Sequence, residues 1–501
     1  MNKRLMMGID VGTTNIKVAV FTADGGELIN KVAARTPWFH PGETRTECRA
    51  EELWNRLLGL IDRGLESVRP EDLKAVSVTG VGESGVPLGS SGDPLYNVIY
   101  WRDPRSTPQY EEIVDSLGAG KIRKITGLNP DYIFTLNKLK WLQEERPKLF
   151  SRLDTWLDIP GWVVYMLTGE KVMDYSEASR TMCLDIWEKE WSEEILAGLG
   201  LSARFLPKLD SAGTPIGHPR REIVDRTKLP ADVTVTVGAH DHIAAAYGLG
   251  ITPGEEVLTS MGTTDSLLLV GAADDFRDNL DCENMNVGCH ITPGGYYGLL
   301  AIGQAGGLLD WLVKDVGEYT VDENSTGRSS DDEVYKKVLK EAAALSPGIE
   351  KGLLVSPTDG LNGNSTFTGI TSEVTVPQLT RSLLEGLACE SRWKLDSYHG
   401  DLWDRANRVV AVGGGAKNEL WLKIKACVLD KRISVPRTLD LTTFGAALRA
   451  GTGTGLSVDP GERDYDVVQE DFMIEPEPGC VEDYGRQYDF YVDYFKRGAA
   501  R

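Results

Sequence analysis

The chain opens on an apolar run, Leu5 to Ile9, closed by Asp10. A Gly12-Thr13-Thr14 turn follows. Polar and apolar positions then alternate through Ile16-Lys17-Val18-Ala19-Val20-Phe21. Such a pattern on both sides of a glycine turn predicts a β-hairpin. Asp24-Gly25-Gly26 marks the next turn, with a third strand after it. The unit recurs far along the chain: Val257 to Ser260 leads into Gly262-Thr263-Thr264, and Ser266 to Val270 continues. Gly12 and Gly262 lie 250 positions apart, half the chain. A duplicated strand-turn-strand unit is the main organisational signal, although on the tripeptide alone coincidence between two common turns is the better account.

Further strand-like runs are Lys74 to Thr79, Val233 to Val237 and Arg408 to Val412. Each ends in a glycine-containing stretch, the α/β habit of strand, turn and helix. Helical spacing of apolar residues predicts helices over Glu51–Arg63, Lys138–Glu145, Gln378–Asp396 and Asn418–Leu429. Asp322 to Glu333 is polar and reads as a surface loop. Glycines and a proline between Gly248 and Pro253 interrupt the pattern, which divides the chain into halves 1–250 and 251–501.

Composition narrows the class. At 501 residues, with 41% hydrophobic and 26% charged, the chain is globular and needs no disulfide or metal to hold a core. Its formal charge of -21 repels polyanions, which argues against nucleic acid and acidic membrane faces as partners. Seven scattered cysteines, Cys48, Cys183, Cys282, Cys289, Cys389, Cys427 and Cys480, contain no C-x-x-C pair. The N-terminal apolar run is too short for a signal peptide, and no window is long enough for a membrane span, so a reduced cytoplasm is expected.

Several glycine turns carry candidate chemistry. In Asp10-x-Gly12-Thr13-Thr14-x-x-Lys17, glycine lets a phosphate approach the backbone, the threonines add donors and Lys17 adds charge. Asp10 suits a hydrated Mg2+, and equally suits the solvation of a tight turn. Gly262-Thr263-Thr264 offers the same donors. Gly413-Gly414-Gly415-Ala416-x-Asn418 opens a helix, and three successive glycines read as close approach to a nucleotide rather than as core packing. No P-loop signature is present. Asp241, in Gly238-Ala239-His240-Asp241-His242, falls at a helix start, where a capping role is the plain reading. The spacing of His240 and His242 points them apart on a helix and disfavours a metal site. Gly82-Glu83-Ser84 and Trp101-Arg102-Asp103 set carboxylates beside an aromatic face, as sugar sites do. Buried Trp is as often core.

Together these segments resemble one family. In chain order they are GIDVGTTNIKVAVF, NKLKWLQEE, LDIPGWVVYMLTGE, DYSEASRTMCLDI, VGAHDHIAAAYGLG, LTSMGTTDSLLLV, QAGGLLDWL, LTRSLLEGLA, VGGGAKNELWLKIKACVLDKRISVP and FGAALRAGTGTG. The chain is similar to the FGGY carbohydrate kinases, which include glycerol kinase and xylulokinase. The resemblance implies an α/β fold of two ribonuclease-H-like domains, as in actin and the Hsp70 ATPase domain, with ATP in a catalytic cleft between them. It makes 1–250 the N-terminal kinase domain and 251–501 the C-terminal one with a helical tail. It assigns Asp10, Thr13, Thr14 and Lys17 to the first phosphate motif and Gly262 and Thr263 to the second. Gly306, Leu309 and Asp310 match a segment near the nucleotide, and Gly414, Gly415, Ala416 and Asn418 the adenosine side. Asp241 matches the general base, reversing its reading as a cap. Mg2+ is implied with ATP, Asp10 holding it through water.

Glu83, Trp101, Asp103 and Asp241 are the sugar-site candidates. Here the chain departs from its relatives. Gly82-Glu83 lacks the arginine that glycerol kinase places before its glutamate, Ile133 stands where that enzyme has a tyrosine, and the Gln-Met-His-Gly of xylulokinase is Gly82-Glu83-Ser84-Gly85. Cys427 replaces the usual aspartate. The expected substrate is a small ketose or polyol, a xylulose-like pentulose first, with a tetritol or hexulose as alternatives. A non-kinase ATPase switch of the actin/Hsp70 type is the alternative from another class. Homodimers are frequent among relatives, and no residue here proves one.

Overall fold

β1 (Leu5–Val11) is buried at all seven positions, the pattern of a strand covered on both faces. It pairs antiparallel with β2 (Asn15–Thr22), Val11 opposite Ile16, and β2 pairs antiparallel with β3 (Leu28–Arg35). On its other side β1 runs parallel to Leu73–Gly80, which runs parallel to Thr234–His240. The structure, a computed structural model, describes residues 4–251, 253–280, 285–316, 331–347, 352–357, 364–437, 441–462, 465 and 470–497.

The chain forms two compact units. The first contains Met1–Thr252, Gly271–Gly298 and Asp440–Gln469; the second contains Pro253–Val270, Leu299–Leu439 and Glu470–Arg501. Two segments from the later half of the chain therefore fold into the first unit. One carries the helix Leu441–Gly453. A Cβ at Gly8 would lie 1.8 Å from the Thr443 carbonyl oxygen, and one at Gly445 would lie 1.7 Å from that of Ala244. These glycines let the helix seat against β1 and against the helix Asp241–Leu249, fixing the element that begins with Asp241.

In the first unit, α1 (Ala50–Gly64) turns Leu53, Trp54, Leu57, Leu58, Leu60 and Ile61 inward, at the helical spacing read from the sequence. Glu51 and Glu52 stand in its first turn and Arg63 in its last, matching the helix dipole. The unit's core joins these to the buried faces of β1, β2 and Leu73–Gly80.

The second unit repeats the sheet plan. Glu256–Met261 pairs antiparallel with Thr264–Ala272 and parallel with Arg408–Val412, which runs parallel to Arg432–Pro436. A hairpin followed by two parallel strands thus stands in both units, the ribonuclease-H-like plan. The other three helices expected from the sequence occupy Thr135–Glu145 in the first unit and Val376–Asp396 and Glu419–Leu429 in the second. Of the polar stretch expected as a loop, residues 322–330 lie outside the described residues, while 331–333 correct the expectation by opening the helix Asp331–Ala343. Six cysteines are free thiols; Cys282 lies outside the described residues. Among the described residues no helix is long and apolar enough to cross a membrane.

Candidate active site

In the first unit the strand Thr234–His240 is bulged between Thr236 and Ala239. Gly238 makes the bulge, since a Cβ there would sit 1.3 Å from the Val78 carbonyl oxygen. Thr79 Oγ1 donates to the Ala239 carbonyl at 2.5 Å, and the His240 amide donates to Ser176 Oγ at 2.9 Å. The strand end is thereby held, and Asp241 begins the next helix with His240 in the capping position. Asp241 is not the cap that its sequence position suggested. Its Oδ1 accepts the His242 amide at 2.6 Å. A quarter of its side chain reaches solvent. Burial, countered by the His242 amide and reinforced by Glu83, pushes the carboxyl up to about 7. His240 Nδ1 lies 3.5 Å from Asp241 Oδ1 and His242 Nε2 lies 3.9 Å from it. Burial, with Arg180 as the next cause, holds His240 well below its ordinary value and lowers His242 to about 4. Among the described residues no group of His, Cys, Asp and Glu could hold a metal without other ligands.

Glu83 is held in a strained turn. Its φ is +62°, and the Ser84 amide donates to the Gly82 carbonyl at 2.7 Å. A side chain in this left-handed region costs about 1–3 kcal/mol, which surrounding contacts must offset. Arg180 supplies them. Its Nε and Nη2 donate to Glu83 Oε1 at 2.7 and 2.5 Å, with both side chains buried. The Arg180 guanidinium lies 5.1 Å from the centre of the Phe134 ring, and Tyr297 borders it. Asp131 is pushed up to about 6, chiefly by burial, with Glu83 adding to the effect. Fully buried Lys138, lowered to about 8 by burial, donates to the carbonyls of Trp101, at 3.4 Å, and Ile133, tying two loops together.

The other two sugar-site candidates divide. Trp101 is half-buried beneath the Arg102 guanidinium, 4.5 Å from its ring centre, and its indole N–H has no acceptor. Asp103 is fully committed elsewhere. Its oxygens accept from the Thr46 amide at 2.6 Å, the Arg105 amide at 3.1 Å, and Arg105 Nε and Nη2 at 2.7 Å each. With no exposed side-chain surface, Asp103 anchors a loop instead of facing a ligand.

The first Gly-Thr-Thr turn is built from behind. The carbonyls of Gly12, Thr13 and Thr14 accept, respectively, from Thr36 Oγ1 at 2.7 Å, Trp38 Nε1 at 2.7 Å and the Thr36 amide at 3.0 Å. In a trans peptide the N–H opposes the carbonyl, so the amides of Thr13 and Thr14 face away from that scaffold. Successive amides on one side form an anion-binding concavity. Asp10 lies 3.2 Å from Lys17 at the same strand end.

The second unit solves the same problem separately. The Gly262 carbonyl accepts the Gly306 amide at 3.0 Å, and the Thr263 carbonyl accepts those of Ala305 at 2.9 Å and Gly307 at 3.4 Å. The turn therefore rests on the start of the helix Gly306–Trp311. Leu309 is buried, whereas Asp310 is exposed, 3.8 Å from Lys314. The triglycine corrects the expectation that it has no packing role. At Gly413, φ is +89° and a Cβ would lie 2.6 Å from the Met261 carbonyl oxygen; at Gly415 one would lie 2.5 Å from the Trp421 ring. Only Gly414 opens on free space. Ala416 is buried, and Asn418 caps the helix Glu419–Leu429 through the Trp421 amide at 3.2 Å. The Asn418 Nδ2 donor is buried without an acceptor.

Sequence reasoning missed Arg180, Lys138 and Asp131 as neighbours of Glu83. Arg180 stood inside the DYSEASRT segment, but nothing local signals a partner 97 residues away.

Residues 5–248 match the N-terminal domain of the FGGY family of carbohydrate kinases, and residues 257–454 match its C-terminal domain. A xylulose kinase of Lactococcus lactis subsp. lactis (strain IL1403) is 30% identical over 98% of this chain and 96% of its own. An L-fuculokinase of Salmonella typhi is 28% identical over 96% of this chain and 100% of its own. The crystal structure of gluconate kinase from Lactobacillus acidophilus superposes with a TM-score of 0.86 at 20% identity, covering 98% of this chain and 97% of that one.

Proposed function

The chain belongs to the FGGY family of carbohydrate kinases and so transfers phosphate from ATP to a sugar or polyol; from that premise we propose a small ketose, a xylulose-like pentulose first, as the acceptor and Asp241 as its general base. The pentulose rests on the 30% identity to a xylulose kinase. The observation that carries the base is a partly exposed carboxyl at a helix start with its proton affinity pushed up to about 7. A base works best when its pKa lies near the operating pH.

In this reading Asp241 accepts the proton of the sugar hydroxyl as that oxygen attacks the γ-phosphorus. The new O–P bond forms as the bond from the γ-phosphorus to the β,γ-bridging oxygen breaks, and ADP leaves. Glu83 and Trp101 hold the sugar, Glu83 by accepting a hydroxyl. Asp103, spent on Arg105 and the Thr46 amide, is left out of the sugar contacts. The first turn contributes the amides of Thr13 and Thr14 with Lys17, and the second contributes Gly262 and Thr263. Gly306, Leu309 and Asp310 stand near the nucleotide, Gly306 also holding the Gly262 carbonyl, while Gly414, Gly415, Ala416 and Asn418 take the adenosine side, with Asn418 Nδ2 the available donor. Asp10 is a hard oxygen ligand at the turn, which fits Mg2+ that keeps most of its waters and binds phosphate. When bound, Mg2+ would neutralise charge on the transferring phosphoryl group.

The test is Asp241→Asn in a coupled ADP-release assay over tetritols, pentuloses, hexuloses and glycerol. Turnover should fall by about 10²–10⁴-fold, with binding of an ATP analogue retained. In the native enzyme, kcat/KM should rise as pH climbs through about 7, because the base must be ionised. Near-normal turnover of the variant removes Asp241 from this role.

A further inference from the structure

We infer that Glu83 and Arg180 form a charge-closed recognition edge that selects a neutral polyhydroxy ketose over a sugar acid, Glu83 holding Arg180 neutralised. This deepens the sugar-kinase reading above and rests on it.

Arg180 is 6% exposed, and two of its nitrogens are spent on one oxygen of Glu83. Its third, Nη1, is buried without an acceptor. The side chain is fixed from below by Gly82, where a Cβ would lie 3.3 Å from Arg180 Cγ and 2.9 Å from His240 Cδ2. The missing side chain at position 82 is what admits the arginine stem and the imidazole together. The charges acting most strongly on Asp241 are Glu83, Lys17 and Arg180. Both cations already have a carboxylate, Arg180 in Glu83 and Lys17 in Asp10 at 3.2 Å.

Among the described residues, an acidic acceptor approaching Asp241 would thus find Lys17 and Arg180 already matched and would meet Glu83 and Asp241 as like charges. Like-charge juxtaposition discriminates against the wrong partner, and specificity commonly rests on such repulsion. A neutral ketose suits the pair. A carboxylate accepts from a hydroxyl, and an arginine N–H donates to a carbonyl or hydroxyl oxygen. Glu83→Gln keeps the side chain's shape, removes its charge and leaves Arg180 unmatched.

The experiment compares D-xylulose with D-gluconate in native enzyme, Glu83→Gln, Arg180→Gln and the Glu83→Gln/Arg180→Gln double variant. ADP release gives kcat and KM, and the thermal shift with each sugar gives binding independently. Native enzyme should favour the ketose by roughly 100-fold or more in kcat/KM, and Glu83→Gln should shrink that ratio at least about tenfold, mainly by lowering the gluconate KM. The double variant should lose the gluconate gain, with KM for ATP steady throughout. It also covers the case in which Arg180→Gln alone fails to fold around an unpaired Glu83. A native preference for gluconate, or a ratio unmoved in Glu83→Gln, overturns the inference alone. Absence of ADP release with gluconate and with every neutral sugar overturns it together with the reading beneath it.

Discussion

The two Gly-Thr-Thr turns are held at their first two carbonyls by different supports, and the first hairpin loop is one residue longer: Val11 pairs with Ile16 across it, Met261 with Asp265. In the first, side chains hold the carbonyls: Thr36 Oγ1 and Trp38 Nε1 reach Gly12 and Thr13. In the second, main-chain amides of Ala305, Gly306 and Gly307 do so. Charge is placed differently as well. Asp10 and Lys17 pair at the first turn, where the Lys17 side chain is 28% exposed. In the second hairpin Ser260 pairs with Ser266 where Asp10 pairs with Lys17 in the first. There the ion pair has gone inside: Asp265, next after the turn, meets Lys425 at 2.6 Å with neither side chain exposed, and Lys425 also donates to Thr259 Oγ1 at 2.7 Å. Support of the turn's carbonyls can thus be separated from the charges around them. The first turn keeps its charges where a ligand could use them, whereas the second uses its pair to fasten its strand to the helix Glu419–Leu429.

The sharpest way to break this contrast is to remove one lysine at a time. Lys425→Met strands Asp265 in the interior and should cost about 3–5 kcal/mol. Lys17→Met removes a partly solvated partner from a buried carboxylate and should cost less, about 1–3 kcal/mol in stability, with its effect appearing in turnover. Denaturant unfolding of the two variants decides the matter, and equal losses would mean that the two pairs are not used differently.

A second comparison lies within the triglycine. Gly413→Ala forces a Cβ into the Met261 carbonyl at a φ of +89° and should cost about 1–3 kcal/mol or more. Gly414→Ala meets nothing within 4 Å and should leave folding unchanged while raising KM for ATP if the nucleotide passes there. Thermal unfolding together with ATP kinetics reads both. An unchanged KM in Gly414→Ala would remove that residue from the nucleotide side.

These positions also show what a sequence can and cannot reveal. The hairpins and the strand Arg408–Val412 were legible because alternation and turn residues are local signals. So was the helix read from Asn418, observed over Glu419–Leu429. The triglycine was misread because its packing partners, Met261 and Trp421, arrive from another strand and helix. Asp103 carried a readable local sign, an aspartate before Pro104 at a helical turn, that marks a cap. The resemblance to sugar sites obscured it. The Glu83–Arg180 pair was beyond any local pattern, because it depends on the absent side chain at Gly82 and on a residue 97 positions away. Sequence period fixes which face an element buries, but polar pairing across elements is set by tertiary approach alone.

The smallest expected effect tests the two supports directly. Trp38→Phe keeps an aromatic ring on the side of Tyr100, where the native centres lie 5.1 Å apart, and removes the pyrrole ring with the N–H that holds the Thr13 carbonyl at 2.7 Å. One hydrogen bond of this kind contributes about 1 kcal/mol, so KM for ATP should rise roughly fivefold, while KM for the sugar holds. Thr36→Val should act in the same direction through the Gly12 carbonyl. No side-chain deletion can do this to the second turn, because its supports are backbone amides that every residue except proline carries. If Trp38→Phe shifts the sugar KM and spares that of ATP, the first turn faces the sugar. The likeness between the turns is then one of fold without a shared task.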